Sequence, residues 1–443
     1  MVILSSATRR LAPALAKRPS YWLWRRKLAP FPDLDPAAVR RHQLARARAT
    51  VAHAYRRTAG YRQLYDEADV HPRELQTLDD LRRFPCVTKE LIRDNLEAFS
   101  VPGPQRIYLT TGGSTGIPFG FYTRRAELVI VEAFIHDWWA RAGWRMGDVT
   151  AVLRGAFVGT DAAPTEFSAA ERTLRLSSYF IDQRRAGEYL DLMTRHRVSD
   201  LQAYPSSLAM LLDALAGQQV RVPGTLERLL FGSENVYDWL VTKARAVFPG
   251  VRLVAWYGHA ERAAFAWCLE DGQYRVHPWY GVVELENDRG APCGANEEGE
   301  IVATSLHASV TPFIRYQTMD RAIQAGDSPE HWRRVMGRSH EVLVTGRGRY
   351  ISMTAINMHD DLFEALLQFQ FVQRAAGAVE FHVVPRQPLN DDERARIHRG
   401  LLAKLGDDMT LEVREVAAIP RTPSGKLRFL DQRLDVARHE VVA

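Results

Sequence analysis

The sequence predicts an α/β fold in which a large domain is followed by a small α+β domain. Between residues 100 and 340, short apolar runs such as DVTAVLRG and LERLLFGSEN alternate with helical segments, which is typical of a buried sheet flanked by helices. Segment 124–144 repeats apolar side chains at helical spacing, which indicates an amphipathic helix. Beyond residue 340 this alternation stops, so we expect the domain boundary there.

The last hundred residues are predicted to form the small domain. Segment EFHVVPRQ indicates a strand, and DDERARIHRGLLAKLG indicates a charged helix that ends at Gly406. TLEVREVAAIP indicates a second strand. We therefore divide the chain into an N-terminal extension over 1–34, a large domain over 35–339 and a small domain over 340–443.

The composition is that of an ordinary globular protein. Of 443 residues, 46% are hydrophobic and 25% are charged, and the net charge is +5. No stretch reaches the roughly 18 consecutive apolar residues of a membrane span. Three cysteines are too few for a disulfide framework, which favours a cytoplasmic location. We expect no nucleic-acid partner, and Cys268, His277 and Cys293 lack the fourth ligand and the CxxC pair of a zinc site.

The N-terminal extension is strongly basic. Its first 32 residues contain no acidic residue and seven basic ones: Arg9, Arg10, Lys17, Arg18, Arg25, Arg26 and Lys27. One interpretation is a basic helix that packs on the main body of the protein. The other is a targeting peptide or a strip that touches a membrane surface through Tyr21, Trp22 and Trp24.

Residues 109–123, LTTGGSTGIPFGFYT, place glycine and hydroxyl residues directly after an apolar run. Backbone N–H groups and hydroxyls in such a loop are suited to phosphate oxygens. The loop is not a P-loop, because no lysine follows Gly116, and the dinucleotide fingerprint is absent too. The residues after Pro118 indicate a returning strand, so the segment is either a phosphate cradle or a tight hairpin.

Three further segments follow this loop in order. WYGHAERAAFA carries Glu261 at the end of a strand, TPFIRYQTMDRA ends an apolar run with Asp320, and IPRTPSGKLRF presents Lys426 on a turn. With these segments the chain resembles the adenylate-forming (acyl-CoA synthetase) superfamily. Within that superfamily it is most similar to the phenylacetate–CoA ligase branch and its relatives found with capsular-polysaccharide genes. The resemblance covers about residues 55–430.

The resemblance implies ATP-dependent activation of a carboxylic acid to an acyl-adenylate, with release of pyrophosphate. It then implies transfer of the acyl group to the thiol of CoA or of a carrier protein's phosphopantetheine. Lys426 and Glu261 are the implied catalytic residues, with Glu261 also the ligand of Mg²⁺. The implied ATP-binding residues are Thr111, Gly113, Ser114, Thr115, Gly116, Gly232, Ser233, Glu234, Tyr257, Gly258, Asp320 and Arg338.

The acid is expected to be aromatic, as in that branch. The residues expected to bind it are Trp138, Tyr204, Trp256, His259 and Ala260, although Trp138 and its neighbour Phe134 also fit a plain core. The thiol acceptor is expected at Gly346, Arg347, Gly348 and Arg349, a segment that equally fits a surface hairpin.

The chain departs from the family pattern at three places. Ala260 replaces a threonine or serine, the usual acidic hinge pair is His340-Glu341, and the YRTGD segment is YQTMD. The altered hinge leaves a second hypothesis open, in which the acyl group passes to an amine or hydroxyl of a sugar or another nucleophile. A third hypothesis is a catalytically silent nucleotide-binding protein. Retention of Lys426 and Asp320 speaks against it.

Overall fold

A computed structural model describes most of the chain. The described residues are 19–31, 35–110, 119–154, 164–178, 181–215, 221–232, 236, 238–268, 272–287, 289–337, 342–348, 350–352, 356, 366–385, 387–419 and 430–434.

Nine helices and twenty strands lie in these ranges. The helices are α1 (Pro19–Leu28), α2 (Pro36–Arg57), α3 (Ala59–Glu67), α4 (Lys89–Asp94), α5 (Arg125–Arg141), α6 (Gln183–Arg195), α7 (Pro205–Leu215), α8 (Asp238–Val247) and α9 (Asp391–Leu405), besides short 3₁₀ turns at Pro72–Glu74 and Asp79–Arg83. The strands are β1 (Ile107–Thr110), β2 (Gly120–Thr123), β3 (Thr150–Leu153), β4 (Thr165–Ser168), β5 (Thr173–Leu176), β6 (Asp200–Ala203), β7 (Arg228–Gly232), β8 (Arg252–Gly258), β9 (Phe265–Cys268), β10 (Tyr274–Val276), β11 (Gly281–Glu286), β12 (Glu298–Ser305), β13 (Tyr316–Gln324), β14 (His331–Gly337), β15 (Val342–Val344), β16 (Tyr350–Ser352), β17 (Leu366–Ala375), β18 (Ala378–Pro385), β19 (Thr410–Glu415) and β20 (Leu430–Gln432).

The described residues divide into two compact units that interleave along the chain. The first contains the described residues up to Thr110, together with 119–148 and 252–337. The second contains those of 149–251 and those from 342 onward. The predicted division at residues 34 and 339 stays a prediction.

The first unit is built on antiparallel strands. Seven of them form a run in the order β11-β12-β13-β14-β10-β9-β8, in which every pair is antiparallel. Its core includes aromatic side chains of α3: Tyr61 contacts Tyr65, and Tyr65 meets edge-on Phe84, which follows the 3₁₀ turn at Asp79–Arg83. The Tyr61 hydroxyl also donates to the Pro312 carbonyl at 2.8 Å, so the N-terminal helices are fixed to the segment before β13.

Strands β1 and β2 form an antiparallel hairpin on either side of residues 111–118. Ile107 pairs with Thr123 and Thr110 pairs with Gly120, so the returning strand expected after Pro118 is confirmed. Helix α5 follows directly and confirms the helix predicted over 124–144. The loop between the two strands lies outside the described residues.

Helix α1 packs on α5 in the same unit. The Tyr21 hydroxyl lies 2.7 Å from Nδ1 of His136, and the Arg25 guanidinium forms an ion pair with Asp137 at 3.1 Å. This agrees with the first interpretation of the basic segment. The outer side of α1 leaves Trp22 and Leu23 more than half exposed, at 52% and 54%. Within the described residues, no helix is both long and apolar enough to cross a membrane.

The second unit contains two larger groups of strands besides the β15–β16 hairpin. In the first, β7, β6, β3 and β5 run parallel and β4 adds an antiparallel edge; α6 connects β5 to β6, α7 connects β6 to β7, and α8 follows β7. Asp200 and Arg228, on adjacent strands, are both buried and joined by a hydrogen bond of 3.1 Å from Nη2. Because a buried charge is unfavourable without a partner, this pair allows both charges to lie inside the unit.

The parallel pairing of β7, β6, β3 and β5, with helices between β5, β6 and β7, confirms the predicted α/β character.

The second sheet of this unit has the order β19-β18-β17-β20 and is covered by α9. The side chain of Asn390 accepts from the Glu393 N–H while Glu393 accepts from the Asn390 N–H, a capping box that starts α9. Gly406 ends the helix with φ at +94°, a conformation that favours glycine. The strand, helix and strand predicted for the last hundred residues are all present.

The cysteines are not linked by a disulfide. Cys268 and Cys293 are buried, and burial raises the pKa of the half-buried Cys86 to about 11. The described part of the chain holds no group of three histidine, cysteine or acidic side chains that could bind a metal.

Candidate active site

Glu261 lies at the centre of a compact group of polar side chains in the first unit. It follows β8 in the chain, and its side chain is only 3% exposed. Its Oε1 accepts a hydrogen bond of 2.7 Å from the Tyr316 hydroxyl and lies 3.6 Å from Nζ of Lys89. Its Oε2 lies 3.1 Å from Nδ1 of His259. The carboxylate is thus surrounded by hydrogen-bond donors.

Burial alone would raise the pKa of Glu261. The Lys89 ammonium outweighs this effect, together with the hydrogen bonds from His259 and Tyr316, and these groups hold the pKa well below its usual range. The carboxylate therefore stays anionic at neutral pH. A buried anion at a strand end is suited to hold a cation or a positively charged group.

The tight turn after β8 fixes the orientation of His259. The N–H of Ala264 donates to Nε2 of His259 at 3.3 Å, so the ring proton lies on Nδ1 and is donated to Glu261. The N–H of Arg262 bonds to the His259 carbonyl at 3.1 Å and closes the turn. Ala260, between them, is half-buried against the core and offers only a methyl group.

Tyr257 and Asp320 meet beside this group. The Tyr257 hydroxyl donates to Oδ2 of Asp320 at 2.9 Å. Burial, followed by the charge of Asp320, raises the pKa of Tyr257 well above its usual value, so it remains a donor. The Tyr257 ring also meets Trp332 edge-on, with ring centres 5.4 Å apart.

The segment before Asp320 forms a bulge between β12 and β13. Glu300 pairs with Arg321, whereas Val302 already pairs with Gln317. Met319 takes the left-handed conformation, with φ at +66°. This bulge sets the position of Asp320.

Three hydrogen bonds hold the bulge. Thr318 Oγ1 donates to the Ile301 carbonyl at 2.7 Å and accepts from the Asp320 N–H at 3.1 Å. The Met319 N–H donates to Glu300 at 3.0 Å.

Two sequence models match the chain. The model of the AMP-binding enzymes matches residues 107–309, and the model of the CapK C-terminal domain matches residues 343–432. Together they span about two thirds of the chain. These matches and the relatives described next confirm the predicted resemblance to the adenylate-forming enzymes, in the phenylacetate–CoA ligase branch with its CapK relatives.

Three phenylacetate–coenzyme A ligases are similar to this protein over most of the chain. The phenylacetate–coenzyme A ligase of Pseudomonas putida is 27% identical over 335 residues, which is 72% of this chain and 74% of the relative. The enzyme of the same name from Escherichia coli is 26% identical over 343 residues, which is 72% of this chain and 75% of the relative. The enzyme of the same name from Thermus thermophilus is 24% identical over 447 residues, which is 89% of this chain and 97% of the relative.

A solved structure confirms the predicted fold class. A crystal structure of 2-hydroxyisobutyryl-CoA ligase in complex with 2-HIB-AMP and CoA superposes with a TM-score of 0.63 at 17% identity. The superposition covers 91% of this chain and 92% of the ligase. The predicted large adenylate-forming domain and small C-terminal domain are therefore confirmed as a fold.

Apart from Tyr204, the aromatic residues expected around the acid lie in the first unit and are tightly packed. Trp138 is 2% exposed and stacks on Trp267, with ring centres 5.7 Å apart. Trp256 is also buried, edge-on to Trp139. Phe134 meets Tyr280 edge-on at 5.1 Å. Their role in binding an acid stays a prediction.

Five of the predicted residues lie in the second unit. Gly232 ends β7, and Tyr204 is buried with the Arg154 guanidinium 5.0 Å from its ring centre. Gly346, Arg347 and Gly348 form the turn of the β15–β16 hairpin. The Arg347 N–H donates to Asp408 at 3.2 Å, and the Arg347 side chain is exposed within 3.5 Å of an Asp407 oxygen.

The other predicted residues lie outside the described part of the chain. They are Thr111, Gly113, Ser114, Thr115, Gly116, Ser233, Glu234, Arg338, Arg349 and Lys426, together with the hinge pair His340-Glu341. Their roles stay predictions.

Sequence reasoning missed Lys89 and Tyr316, which both reach Glu261. Val87 forms an isolated bridge with Tyr316: its N–H donates to the Arg315 carbonyl at 3.1 Å, and its carbonyl accepts from the Gln317 N–H at 3.0 Å. This pairing carries Lys89, two residues later, to the carboxylate. Its only sequence signal was the segment VTKE, whose Thr88 caps α4.

Proposed function

We propose that this protein activates a carboxylic acid with ATP to form an acyl-adenylate, releases pyrophosphate, and transfers the acyl group to the thiol of CoA. Membership of the phenylacetate–CoA ligase branch supports this proposal and an aromatic acid. The observation that carries it is the buried, anionic Glu261, held by Lys89, His259 and Tyr316 beside the Tyr257–Asp320 pair.

Glu261 is proposed as the protein ligand of Mg²⁺. Mg²⁺ is bound in many ATP sites by one or two carboxylates, with phosphate oxygens and waters completing its shell. A single ionised carboxylate fits this requirement. The bound ion would neutralise charge on the phosphates, while Lys89 keeps Glu261 ionised for it.

Asp320 is proposed to bind the ribose hydroxyls and Tyr257 to stack on the adenine. One carboxylate oxygen of Asp320 accepts a hydrogen bond from the Tyr257 hydroxyl, which orients the Asp320 side chain. The phosphates are proposed to lie in the loop from Thr111 to Gly116, and Lys426 to reach the α-phosphate and the carboxylate of the acid.

The hairpin turn of Gly346, Arg347 and Gly348 is proposed to meet the acceptor. Arg347 is exposed, so a CoA phosphate or an acidic carrier-protein side chain can approach it. Acyl transfer to an amine or hydroxyl is the second candidate. It is favoured by the hinge pair His340-Glu341 and by the match of the small domain to the CapK C-terminal domain.

We further propose a cytoplasmic location and a weak contact of α1 with an anionic membrane surface. The location rests on the use of ATP and CoA and on three cysteines without a disulfide. The contact rests on the exposed Trp22 and Leu23 beside the basic residues of the N-terminal extension.

Acid-dependent exchange of pyrophosphate into ATP tests the adenylation step. We expect exchange with one class among aryl, arylacetic, fatty and amino acids, and a fall of about 10²-fold to 10³-fold in Lys426→Ala, the size expected for a lost donor to the developing charge. Arg399→Ala, which removes an exposed cation from α9, is the matched control and should retain activity. Tight ATP binding without exchange for any acid would contradict the proposal.

A further inference from the structure

The β15–β16 hairpin of the second unit is held on the four-stranded sheet by a buried side-chain amide. Among the described strands, β15 pairs only with β16. On its other edge, the Val344 N–H donates to Oε1 of Gln373, and Nε2 of Gln373 donates to the Val344 carbonyl, both at 2.7 Å. Gln373, on β17, is fully buried. Because both polar atoms of this amide are matched, β15 has a defined position on the sheet.

The turn at residues 346–348, here called the acceptor turn, is held by the loop between α9 and β19. The Gly346 N–H donates to the Asp408 carbonyl at 3.1 Å, and the Arg347 N–H donates to Oδ2 of Asp408 at 3.2 Å. Asp408 therefore accepts from two successive N–H groups of the turn. A hydrogen bond from a backbone N–H to a carboxylate is stronger than one between neutral groups.

Gly377, in the turn between β17 and β18, packs directly against the acceptor turn. Its N–H donates to the Val344 carbonyl at 2.9 Å, and its carbonyl accepts from the Thr410 N–H at 2.7 Å. A Cβ at Gly377 would lie 2.8 Å from Cα of Gly346 and 3.2 Å from the Asp408 carbonyl oxygen. A side chain at this position would therefore push the acceptor turn away from the sheet.

These contacts hold the backbone of the acceptor turn and leave the side chain of Arg347 accessible. That side chain is 67% exposed, whereas Val344 and Thr345, which lead into the turn, are buried. A fixed backbone with an accessible side chain suits a loop that must meet a ligand at a set position, since small displacements of a binding group reduce the rate of the step that it serves.

We propose that Asp408 and Gly377 are positioning residues for acyl transfer, which hold the acceptor turn in the place at which it meets the incoming thiol. This inference rests on the proposed function. In the transfer step the thiol loses its proton to water and its sulfur bonds to the acyl carbon. The bond from that carbon to the phosphate oxygen then breaks and AMP leaves. Both residues act through the turn, so their loss should slow transfer and spare adenylation.

The test measures the two steps separately, with the acid that gives most pyrophosphate exchange in the wild type. Exchange reports adenylation, and acyl-CoA formation at varied CoA concentration reports transfer. We expect Asp408→Ala to retain exchange within about twofold and to lose about 10-fold of kcat/KM for CoA, the size of one hydrogen bond to a charged group. Asp408→Asn, which keeps an oxygen that can accept from the Arg347 N–H, should restore most of this loss.

Glu412→Ala is the matched control for Asp408→Ala. It removes an exposed carboxylate from β19, the strand that follows Asp408, and this carboxylate bonds to Arg414 at 2.8 Å. Both steps should stay at the wild-type rate in this variant. The melting temperature of every variant shows that it is folded.

Gly377→Ala tests the other contact. Its methyl group should displace Gly346 and cause the same selective loss of transfer. Gly326→Ala is the matched control, because Gly326 has a φ of +70° beside the +76° of Gly377, and no atom of the described residues lies within 4 Å of the added Cβ. This control carries similar backbone strain without pressing on a neighbour, so it should keep both steps.

A further readout does not depend on turnover. Trypsin cleaves after exposed arginine residues, and Arg347 lies in the acceptor turn. Cleavage there, without ATP or acid, should be several-fold faster in Asp408→Ala than in the wild type, because the turn opens more often once it has lost its acceptor. Asp408→Asn should resemble the wild type. Unchanged cleavage in Asp408→Ala would show that Asp408 does not hold the turn.

The outcomes separate this inference from the proposed function. Selective loss of transfer in Asp408→Ala and Gly377→Ala supports the inference. Wild-type transfer by either variant overturns it, and so does an equal loss of both steps in a folded variant, since that pattern is a general effect on the small domain. A wild type that exchanges pyrophosphate with no acid, or that exchanges but forms no acyl-CoA, overturns the proposed function and this inference with it.

Discussion

Met319 is a residue in a backbone conformation that suits glycine better. The related motif has glycine at this place, and here the methionine takes a φ of +66° in the bulge before Asp320. A side chain in this region costs about 1 kcal/mol or more, partly offset by the greater freedom that glycine has in the unfolded chain. The bulge persists because Thr318 and Glu300 hold the backbone on both sides of it.

Met319→Gly should raise the free energy of unfolding by a few tenths to about 1 kcal/mol, measured by urea denaturation. Met146→Gly, at an exposed position that does not have a positive φ, should lower it by a few tenths to about 1 kcal/mol. Equal destabilisation by both changes would contradict strain at Met319.

Lys89 should stabilise the fold through Glu261 in a way that depends on pH. The folded protein holds the pKa of Glu261 well below its unfolded value of about 4.5. The stabilisation is therefore complete above that unfolded value and is lost as the pH falls through the folded pKa. Lys89→Met should lower the free energy of unfolding by about 2 kcal/mol at pH 7.

The difference between Lys89→Met and the wild type should shrink below about pH 4.5, as Glu261 takes up its proton. Denaturant titrations from pH 7 to pH 3 measure it. In a Glu261→Gln background the Lys89→Met change should show little dependence on pH over this range. A constant difference between pH 7 and pH 3 in the Glu261 protein would contradict the coupling.

At the scale of secondary structure, local signals in the sequence predicted the elements well. The β1–β2 hairpin, helix α5 and the capped helix α9 were all expected, because apolar spacing, capping residues and glycine act over a few residues. The position of Glu261 after a strand was expected for the same reason. Lys89 was missed because its approach to Glu261 depends on the distant pairing of Val87 with Tyr316.

The burial of Arg262 was also beyond local signals. Arginine is mostly exposed, so a sequence containing AERAAF predicts a surface cation at this position. Its burial follows from the turn closed by the His259 carbonyl and from the Thr123 hydroxyl, which comes from a separate part of the chain. Such convergence is a property of the tertiary structure.

Helix α1 presents one side to the protein and the other to its surroundings. Tyr21 and Arg25 are fixed on α5, whereas Trp22, Leu23, Arg26 and Lys27 are exposed. Trp22→Ser with Leu23→Ser should reduce partition onto phosphatidylserine-containing vesicles several-fold in co-sedimentation, without lowering the melting temperature. Met146→Ser, at another exposed apolar residue, is the control. Equal sedimentation with anionic and zwitterionic vesicles would contradict this membrane contact.

At the scale of the whole molecule, the family and the fold class were predictable from four short segments in a fixed order. The two compact units were not, because the first draws on residues 119–148 and 252–337 and the second on the stretch between them. Strand and helix alternate without a break across residues 148 and 252, so nothing in the local pattern marks a change of unit.

The three cysteines have a consequence for a protein that handles an activated acyl group. An acyl-adenylate is an electrophile, and it acylates whichever thiolate it meets. With a pKa of about 11, Cys86 holds almost no thiolate at neutral pH, and Cys268 and Cys293 are buried. The three cysteine thiols of the enzyme therefore do not compete with the thiol of the acceptor for the acyl group, and the acyl-adenylate is preserved for transfer to that acceptor.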